Sequence, residues 1–258
     1  MLSRRHKTNR QKLMNEVAII IPARYDSTRL KGKPLIKVKD KPIIQWVWEK
    51  AVKANLADRV IIATDNKQIY ESAQMFGAEV EMTLDTHTSG SDRIAEVVER
   101  HPEISYVVNL QGDEPLITPE SIDEIIKGVK NDGADISTLI RILKTKKEIE
   151  NPNCVKCVVD NDGYALYFSR SKIPYERNPK IVQIYGHLGI YGYKREALLK
   201  MTQLPQSPLE MAESLEQLRA LQAGMKIKTF VVDFVPVGID TVDDLRHFEK
   251  IISQTLDD

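Results

Sequence analysis

The first half of the chain alternates short apolar segments with amphipathic ones, and this alternation constrains the fold more than any other feature. Apolar runs predict strands at VAIIIPA, RVIIATD, AEVEMT and YVVNLQGDEP, and a segment with a helical apolar period follows each of them. A repeated strand–helix order is typical of a mostly parallel sheet with helices on both faces. The sequence therefore predicts a Rossmann-like α/β fold.

Capping residues mark several predicted helix ends. Asp40 is the predicted N-cap of the first helix, with Pro42 in its opening turn. Thr118 is the predicted N-cap of a helix that begins at Pro119. Thr241 and Asp244 have the spacing of a capping box before the last helix.

The second half of the chain is less regular. It contains strand-like segments at DISTLIRI, CVKCVVD, YALYFSR, IYGHLGIYGYK and KIKTFVVDFV, and an NDG turn at 161 to 163 that predicts a hairpin. The segment SPLEMAESLEQLRALQAG predicts one strong helix that ends at Gly224. We therefore expect a single domain over residues 16 to 253, with a mostly parallel mixed sheet and a smaller mixed second lobe.

Composition and charge exclude several classes of protein. Lys plus Arg and Asp plus Glu each number 37, which gives no reason to expect a nucleic-acid partner. No apolar run approaches the ~20 residues of a membrane span.

Residues 1 to 15 carry five cations and no acid, and predict a disordered basic tail. That tail could be a binding arm or sequence ahead of a start at Met14.

The two cysteines, Cys154 and Cys157, form a CxxC motif within a predicted strand. Positions three apart on a strand face opposite sides of the sheet, and no second CxxC or HxxxH motif completes a zinc site. We therefore expect ordinary thiols in a reducing compartment and no disulfide.

A cationic loop follows the first predicted strand. Arg24, Arg29, Lys31 and Lys33 lie within ten positions of one another. The Walker A and GxGxxG motifs are absent, so the sequence supports neither the usual ATPase loop nor the dinucleotide fold. Cations above backbone N–H groups suit a polyphosphate, particularly a pyrophosphate leaving group. The alternative is an ordinary basic surface turn.

Two aspartates, Asp113 and Asp240, each follow a predicted strand and lie close after a glycine. Mg²⁺ is typically held by one or two carboxylates together with substrate phosphates, so this pair is the candidate metal site. The alternative for Asp240 is that it only caps the last helix. Glu114, which precedes Pro115, is expected to be structural.

Eight segments, taken in order, resemble the 3-deoxy-manno-octulosonate cytidylyltransferases, also called CMP-Kdo synthetases. They are IIPARYDSTRLKGKPL, ATD, SGSDRIAEV, NLQGDEPLI, VKCVVDNDGYALYFSRSKIPY, HLGIYGY, SPLEMAESLEQLRAL and GIDTVDDL. Relatives specific for sialic acid carry a different first loop and lack the ALYFSR and LEQLRAL segments. This chain departs from the pattern mildly, with Lys31 where a proline is usual.

The resemblance implies a nucleotidyltransferase fold of the GT-A-like type and a reaction. The anomeric hydroxyl of 3-deoxy-manno-octulosonate (Kdo) would attack the α-phosphate of CTP, giving CMP-Kdo and pyrophosphate for lipopolysaccharide synthesis. It further implies Mg²⁺ as the cofactor, a cytoplasmic location and a homodimer. The first half of the chain would bind the nucleotide, and the second half would bind the sugar and form the dimer.

The resemblance also implies roles for particular residues. Arg24, Lys33 and Asp113 would be catalytic, with Arg24 and Lys33 on the triphosphate, and Asp113 and Asp240 would hold the metal. Substrate contacts would come from Arg29, Arg93, Gln111, Arg170, His187, Tyr191, Glu216 and Gln217. Taken alone, His187 would be an ordinary core histidine, and Glu216 and Gln217 would be solvated helix surface.

Two alternatives to this function remain open at the level of the sequence. The first is a cytidylyltransferase for another acid sugar, such as an 8-amino analogue of Kdo. The second is a nucleotide-binding relative without catalytic activity, against which the retained aspartates and loop cations argue.

Overall fold

The computed structural model describes residues 16–26, 30–178, 181–234 and 238–257. The predicted basic tail at 1 to 15 and the predicted substrate residue Arg29 lie outside these ranges. Contacts divide the described chain into two compact units. The first takes in residues up to 104, 109 to 123 and 238 onward, and the second takes in 105 to 108 and 124 to 234.

The first unit contains three parallel strands, β1 (Glu16–Ala23), β4 (Arg59–Thr64) and β5 (Glu79–Met82). Ile19, Ile20 and Ile21 follow one another in β1, and all three are fully buried. Consecutive burial requires that both faces of the strand be covered, as in a parallel sheet between helices. The predicted Rossmann-like arrangement is confirmed in this unit.

The connecting elements of the first unit are a two-stranded ribbon and five helices. The ribbon pairs β2 (Lys37–Val38) with β3 (Lys41–Pro42). The helices are α1 (Ile43–Ala51), α2 (Lys67–Met75), α3 (Gly90–Arg100), α4 (Pro119–Lys130), which begins in this unit, and α9 (Val242–Asp257).

The predicted helix caps are partly correct. The hydroxyl of Thr118 accepts a hydrogen bond from the backbone N–H of Ser121 at 3.2 Å, and Thr241 forms the predicted capping box with Asp244. The prediction for Asp40 is wrong. Asp40 has a φ of 64° in the tight turn of the β2–β3 ribbon, and helix α1 begins after Pro42.

The second unit holds a mixed set of strands. They are most of β6 (Ile104–Asn109), β7 (Ile136–Ile142), β10 (Tyr185–Lys194) and β11 (Ile227–Val231), with β11 parallel and β10 antiparallel to β7. The predicted hairpin is present as the antiparallel pair β8 (Lys156–Val159) and β9 (Ala165–Ser169). Its helices include α5 (Lys146–Glu150) and α6 (Arg195–Gln203).

The strong helix predicted over SPLEMAESLEQLRALQAG is in fact two short helices, α7 (Pro208–Glu213) and α8 (Gln217–Gln222). Ser214 interrupts them with a left-handed φ of 52°. The apolar period continues through the break, which is why the sequence indicated one continuous helix. The break places Glu216 and Gln217 at the start of α8.

Both cysteines are free thiols, and burial raises the pKa of Cys157 to about 12. Within the described ranges, no helix combines the length and apolar character that crossing a membrane requires.

Strand β10 provides a matched test of packing in the second unit. A Cβ added at Gly192 would lie 2.5 Å from Ser137 Oγ and 3.1 Å from the carbonyl oxygen of Ile125, whereas one added at Gly189 meets nothing within 4 Å. We expect Gly192→Ala to lower the free energy of unfolding by about 1–3 kcal/mol through overpacking. Gly189→Ala should change it by about 0.5 kcal/mol or less. Urea unfolding of both variants measures the difference, and equal values would contradict this packing.

Candidate active site

A cleft of about 350 Å³ opens in the first unit beyond the end of β1. Its polar lining consists of Arg24, Asp26, Lys33, Gln111, Asp113 and Asp240. Gly112 also lines it, and a Cβ there would lie 3.1 Å from the carbonyl oxygen of Pro22. The structure thus brings together the predicted loop cations Arg24 and Lys33 and both predicted metal ligands.

The ammonium group of Lys33 lies between the two aspartates. Its Nζ is 2.6 Å from Asp113 Oδ2 and 3.0 Å from Asp240 Oδ1. Lys33 begins a short 3₁₀ turn, and Gly32 precedes it with a left-handed φ of 68°. Burial disfavours the charge of Lys33, but the two carboxylates outweigh this effect, so that the pKa of Lys33 is raised.

Asp240 is not needed as the cap of the last helix. Thr241 and Asp244 cap α9, since Asp244 Oδ2 accepts from the backbone N–H of Thr241 at 2.8 Å. The carboxylate of Asp240 instead contacts Lys33. The backbone N–H of Ile239 donates to the carbonyl oxygen of Asp113 at 3.0 Å, which holds the two aspartate segments side by side.

Glu114 belongs to the same cluster, which the sequence analysis missed. Burial, reinforced by the charges of Asp113 and Asp240, raises the pKa of Glu114 to about 8. Its Oε2 atom is buried without a hydrogen-bond partner among the described residues. The only signal in the sequence was its position next to Asp113.

Arg24 lies near a second arginine, Arg93. Burial and the charge of Arg93 lower the pKa of Arg24, and Arg24 Nη2 is buried without a partner in the described part of the chain. Arg93 is fully buried and donates to Asp65 and Thr83. Arg93, a predicted substrate residue, lies buried in the first unit, where Asp65 neutralises its charge.

Gln111 also lies in the first unit and lines the cleft. Its Nε2 donates to Asn109 Oδ1 at 3.1 Å, which orients the amide.

Five of the predicted substrate residues lie in the second unit: Arg170, His187, Tyr191, Glu216 and Gln217. Arg170 Nε donates to the carbonyl oxygen of Glu213 at 2.6 Å, and Nη2 donates to that of Ser214 at 3.2 Å. These bonds tie Arg170 to the break between α7 and α8. Arg170 thus supports the segment that leads into Glu216.

Lys156 is a second support that the sequence analysis missed. It is fully buried, and its Nζ donates to the carbonyl oxygens of Arg170, Cys154 and Asn151 at 2.5, 2.7 and 3.0 Å. Burial lowers the pKa of Lys156. Through this hydrogen bond to its carbonyl oxygen, Lys156 holds the backbone of Arg170 in place.

His187 and Tyr191 lie side by side on β10, with ring centroids 5.3 Å apart. Withdrawal from water lowers the pKa of His187 to about 3, so the ring is neutral near neutral pH. Burial, Tyr193 and the nearby charge of Glu216 raise the pKa of Tyr191. Neutral rings of this kind can recognise hydroxyl groups by hydrogen bonding.

Gln217 is buried, and its Nε2 has no hydrogen-bond partner within the described ranges. An unpaired buried donor costs free energy, so it marks a position where a ligand acceptor would be favourable. The sequence analysis placed Gln217 on a solvated helix face when read without the resemblance. The break at Ser214 turns it inward instead.

Over the residues that the structure describes, no group of three or more His, Cys, Asp or Glu side chains is arranged to hold a metal ion. Asp113 and Asp240 nevertheless share one cation, the ammonium group of Lys33. A pair of carboxylates fits Mg²⁺ when nucleotide phosphates supply further oxygen ligands.

Comparisons with known proteins identify the family. The family model described as cytidylyltransferase matches residues 18–227. The 3-deoxy-manno-octulosonate cytidylyltransferase of Thermodesulfovibrio yellowstonii is 47% identical over 91% of this chain and 97% of its own length. The Escherichia coli enzyme of the same name is 42% identical over 94% of this chain and 98% of its own.

A solved structure of a CMP:2-keto-3-deoxy-manno-octonic acid synthetase complexed with CTP has a TM-score of 0.90 and 40% identity. It is matched over 93% of this chain and 100% of its own. A 4-diphosphocytidyl-2C-methyl-D-erythritol synthase from Anaerococcus prevotii, with 12% identity and a TM-score of 0.63, shares the fold. The predicted resemblance is confirmed, and the chain belongs to the 3-deoxy-manno-octulosonate cytidylyltransferase family.

Proposed function

We propose that this chain transfers CMP from CTP to the anomeric hydroxyl of Kdo and releases pyrophosphate, a step of lipopolysaccharide synthesis. The observation that carries the proposal is the cluster of Lys33, Asp113 and Asp240 in a cleft that also contains Arg24. The names of the relatives supply the nucleotide and the acid sugar.

The cations of the cleft act on the triphosphate. Phosphoryl-type transfer depends mainly on positioning and on neutralising charge, so Arg24 and Lys33 stabilise the charge that develops on the departing pyrophosphate. The unpaired Nη2 donor of Arg24 suits a phosphate or carbonyl oxygen of the nucleotide.

Mg²⁺ is the proposed cofactor, held by Asp113 and Asp240. When bound, it supplies further neutralisation of the phosphate charges. Without it, Lys33 balances the same carboxylates.

The second unit is proposed to bind the sugar. Gln217 offers an unpaired donor, and His187 and Tyr191 offer neutral polar rings. A site built on hydrogen bonds rejects analogues that leave its polar groups unpaired. Nε, Nη1 and Nη2 of Arg170 each donate to a backbone oxygen, so a contact with the sugar carboxylate would use the remaining N–H groups of its guanidinium.

The proposed reaction has a direct test in pyrophosphate release. We expect release to require CTP, Kdo and Mg²⁺ together, and Asp113→Asn and Asp240→Asn to lower kcat by about 100-fold or more because phosphate charge is left unbalanced. Asp243→Asn is the matched control, since the side chain of Asp243 is 91% exposed. Thermal unfolding confirms that the variants fold.

The outcomes of this assay separate the alternatives. Wild-type activity in both cleft variants would remove the aspartate pair from the mechanism. Preference for an 8-amino analogue over Kdo would assign a different acid sugar. Absence of turnover with every acid sugar, together with retained CTP binding, would favour a nucleotide-binding protein without catalysis.

We further propose that the protein is a homodimer of the cytoplasm. The second unit exposes more than half of the side-chain surface of Leu166, Tyr175, Ile181 and Met211, which a second copy would cover. The two free thiols, Cys154 and Cys157, fit a reducing compartment.

The dimer has a matched test in sedimentation. We expect the wild type to sediment with twice the mass of one chain, and Leu166→Glu combined with Met211→Glu to shift it toward the monomer because charges would be buried in the contact. Met75→Glu, at a residue that is 89% exposed in the first unit, should leave the mass unchanged. A monomeric wild type at micromolar concentration would refute the proposal.

A further inference from the structure

One fully buried hydroxyl group, that of Thr138 on β7, is shared by three groups of β10. The pairing of β7 with β10 shifts register between Leu188 and Tyr191, so that β10 bulges opposite Thr138. Thr138 Oγ1 lies 2.7 Å from the carbonyl oxygen of Ile190, 3.1 Å from that of Leu188 and 3.0 Å from His187 Nε2.

The number of available hydrogens and the lengths of the three contacts together assign the direction of these bonds. A threonine hydroxyl has one hydrogen to donate, and carbonyl oxygens can only accept. The contact with Ile190, at 2.7 Å, is the shortest of the three and has the length of a donated O–H bond, so we assign the hydrogen of Thr138 to it, and the oxygen of Thr138 then accepts at the contact with His187. His187 Nε2 consequently carries a hydrogen.

The other ring nitrogen of His187 is then fixed as well. A neutral imidazole has one N–H, so Nδ1 carries a lone pair. The low pKa of His187 keeps the ring in this neutral state. Within the described ranges, Nδ1 has no hydrogen-bond partner, and His187 is only half-buried.

Neighbouring rings fix the orientation of the imidazole. Phe168 packs edge-on against it at a centroid distance of 4.9 Å, and Tyr191 packs on it at 5.3 Å. Tyr191 is also close enough to Glu216 to respond to its charge. Tyr191 thus lies between the imidazole of His187 and the charge of Glu216 in the same part of the second unit.

We propose that Thr138 is a positioning residue that locks His187 in the Nε2–H form, so that Nδ1 accepts a hydrogen bond from a sugar hydroxyl. The claim that Nδ1 accepts from a sugar hydroxyl rests on the proposed function. The claim that Thr138 sets the tautomer of His187 does not. Thr138 thereby contributes to specificity without touching the substrate. An analogue lacking that hydroxyl leaves Nδ1 unpaired and is rejected.

The tautomer is measured by ¹⁵N NMR of the imidazole nitrogens in the full chain without ligand, with the His187 signals assigned by their loss in His187→Gln. We expect one pyrrole-like Nε2 and one pyridine-like Nδ1 signal, constant between pH 8 and pH 5. Thr138→Val, which is similar in volume, should give a mixture of tautomers, and Thr138→Ser should restore the wild-type pattern. A wild-type ring protonated at Nδ1 would refute the proposed tautomer. Unchanged ¹⁵N signals of His187 in a folded Thr138→Val would show that Thr138 does not set it.

Addition of ligands to the wild type tests the acceptor role without any variant. Saturating Kdo should shift the Nδ1 signal, as expected when a lone pair accepts a hydrogen bond, whereas CTP alone should not. In kinetics, Thr138→Val should raise the KM for Kdo by about 5- to 10-fold, the value of one hydrogen bond, and leave the KM for CTP unchanged. Thr138→Ser should reverse the increase.

The NMR and kinetic measurements test the proposed reaction and the role of Thr138 separately. Failure of the wild type to use Kdo would refute the proposed function, while the NMR result on the free protein would still decide the lock. Turnover of Kdo with an unmoved Nδ1 signal would refute the acceptor role and leave the proposed function intact.

Discussion

The ion pairs of Lys33 with Asp113 and Asp240 are the interaction on which the candidate active site depends. Asp113 and Asp240 come from segments far apart in sequence, and Glu114 adds a third carboxyl group beside them. Carboxylates gathered in one cleft repel one another and would also repel a triphosphate. A central ammonium group offsets both the repulsion among the carboxylates and their repulsion of a triphosphate. This need for positive charge explains why a cationic loop follows the first strand.

The two units offer different chemistry to the two ligands of the proposed reaction. In the first unit, charged side chains face a cleft, as a polyanionic ligand requires. In the second, His187 and Tyr191 are neutral rings, and Gln217 is an unpaired amide. Neutral hydrogen-bonding groups discriminate among hydroxyl patterns, because each mismatch leaves a buried group unpaired.

The sequence predicted those features that depend on local pattern or on family resemblance. Strand β1 and the capping box of Thr241 were predictable, because periodicity and capping are local. The break at Ser214 was not, since Arg170 stabilises it through carbonyl oxygens 43 and 44 residues away. The roles of Glu114, Lys156 and Thr138 likewise depend on tertiary burial, which no local pattern encodes.

The central claim is that Lys33, Asp113 and Asp240 form the site of the triphosphate, and a crystal structure of this chain with CTP and Mg²⁺ tests it most directly. The account predicts Lys33 Nζ in contact with a phosphate oxygen and the metal ion bound to both aspartates. A triphosphate bound away from this cleft, or a metal ion that touches neither Asp113 nor Asp240, would contradict it.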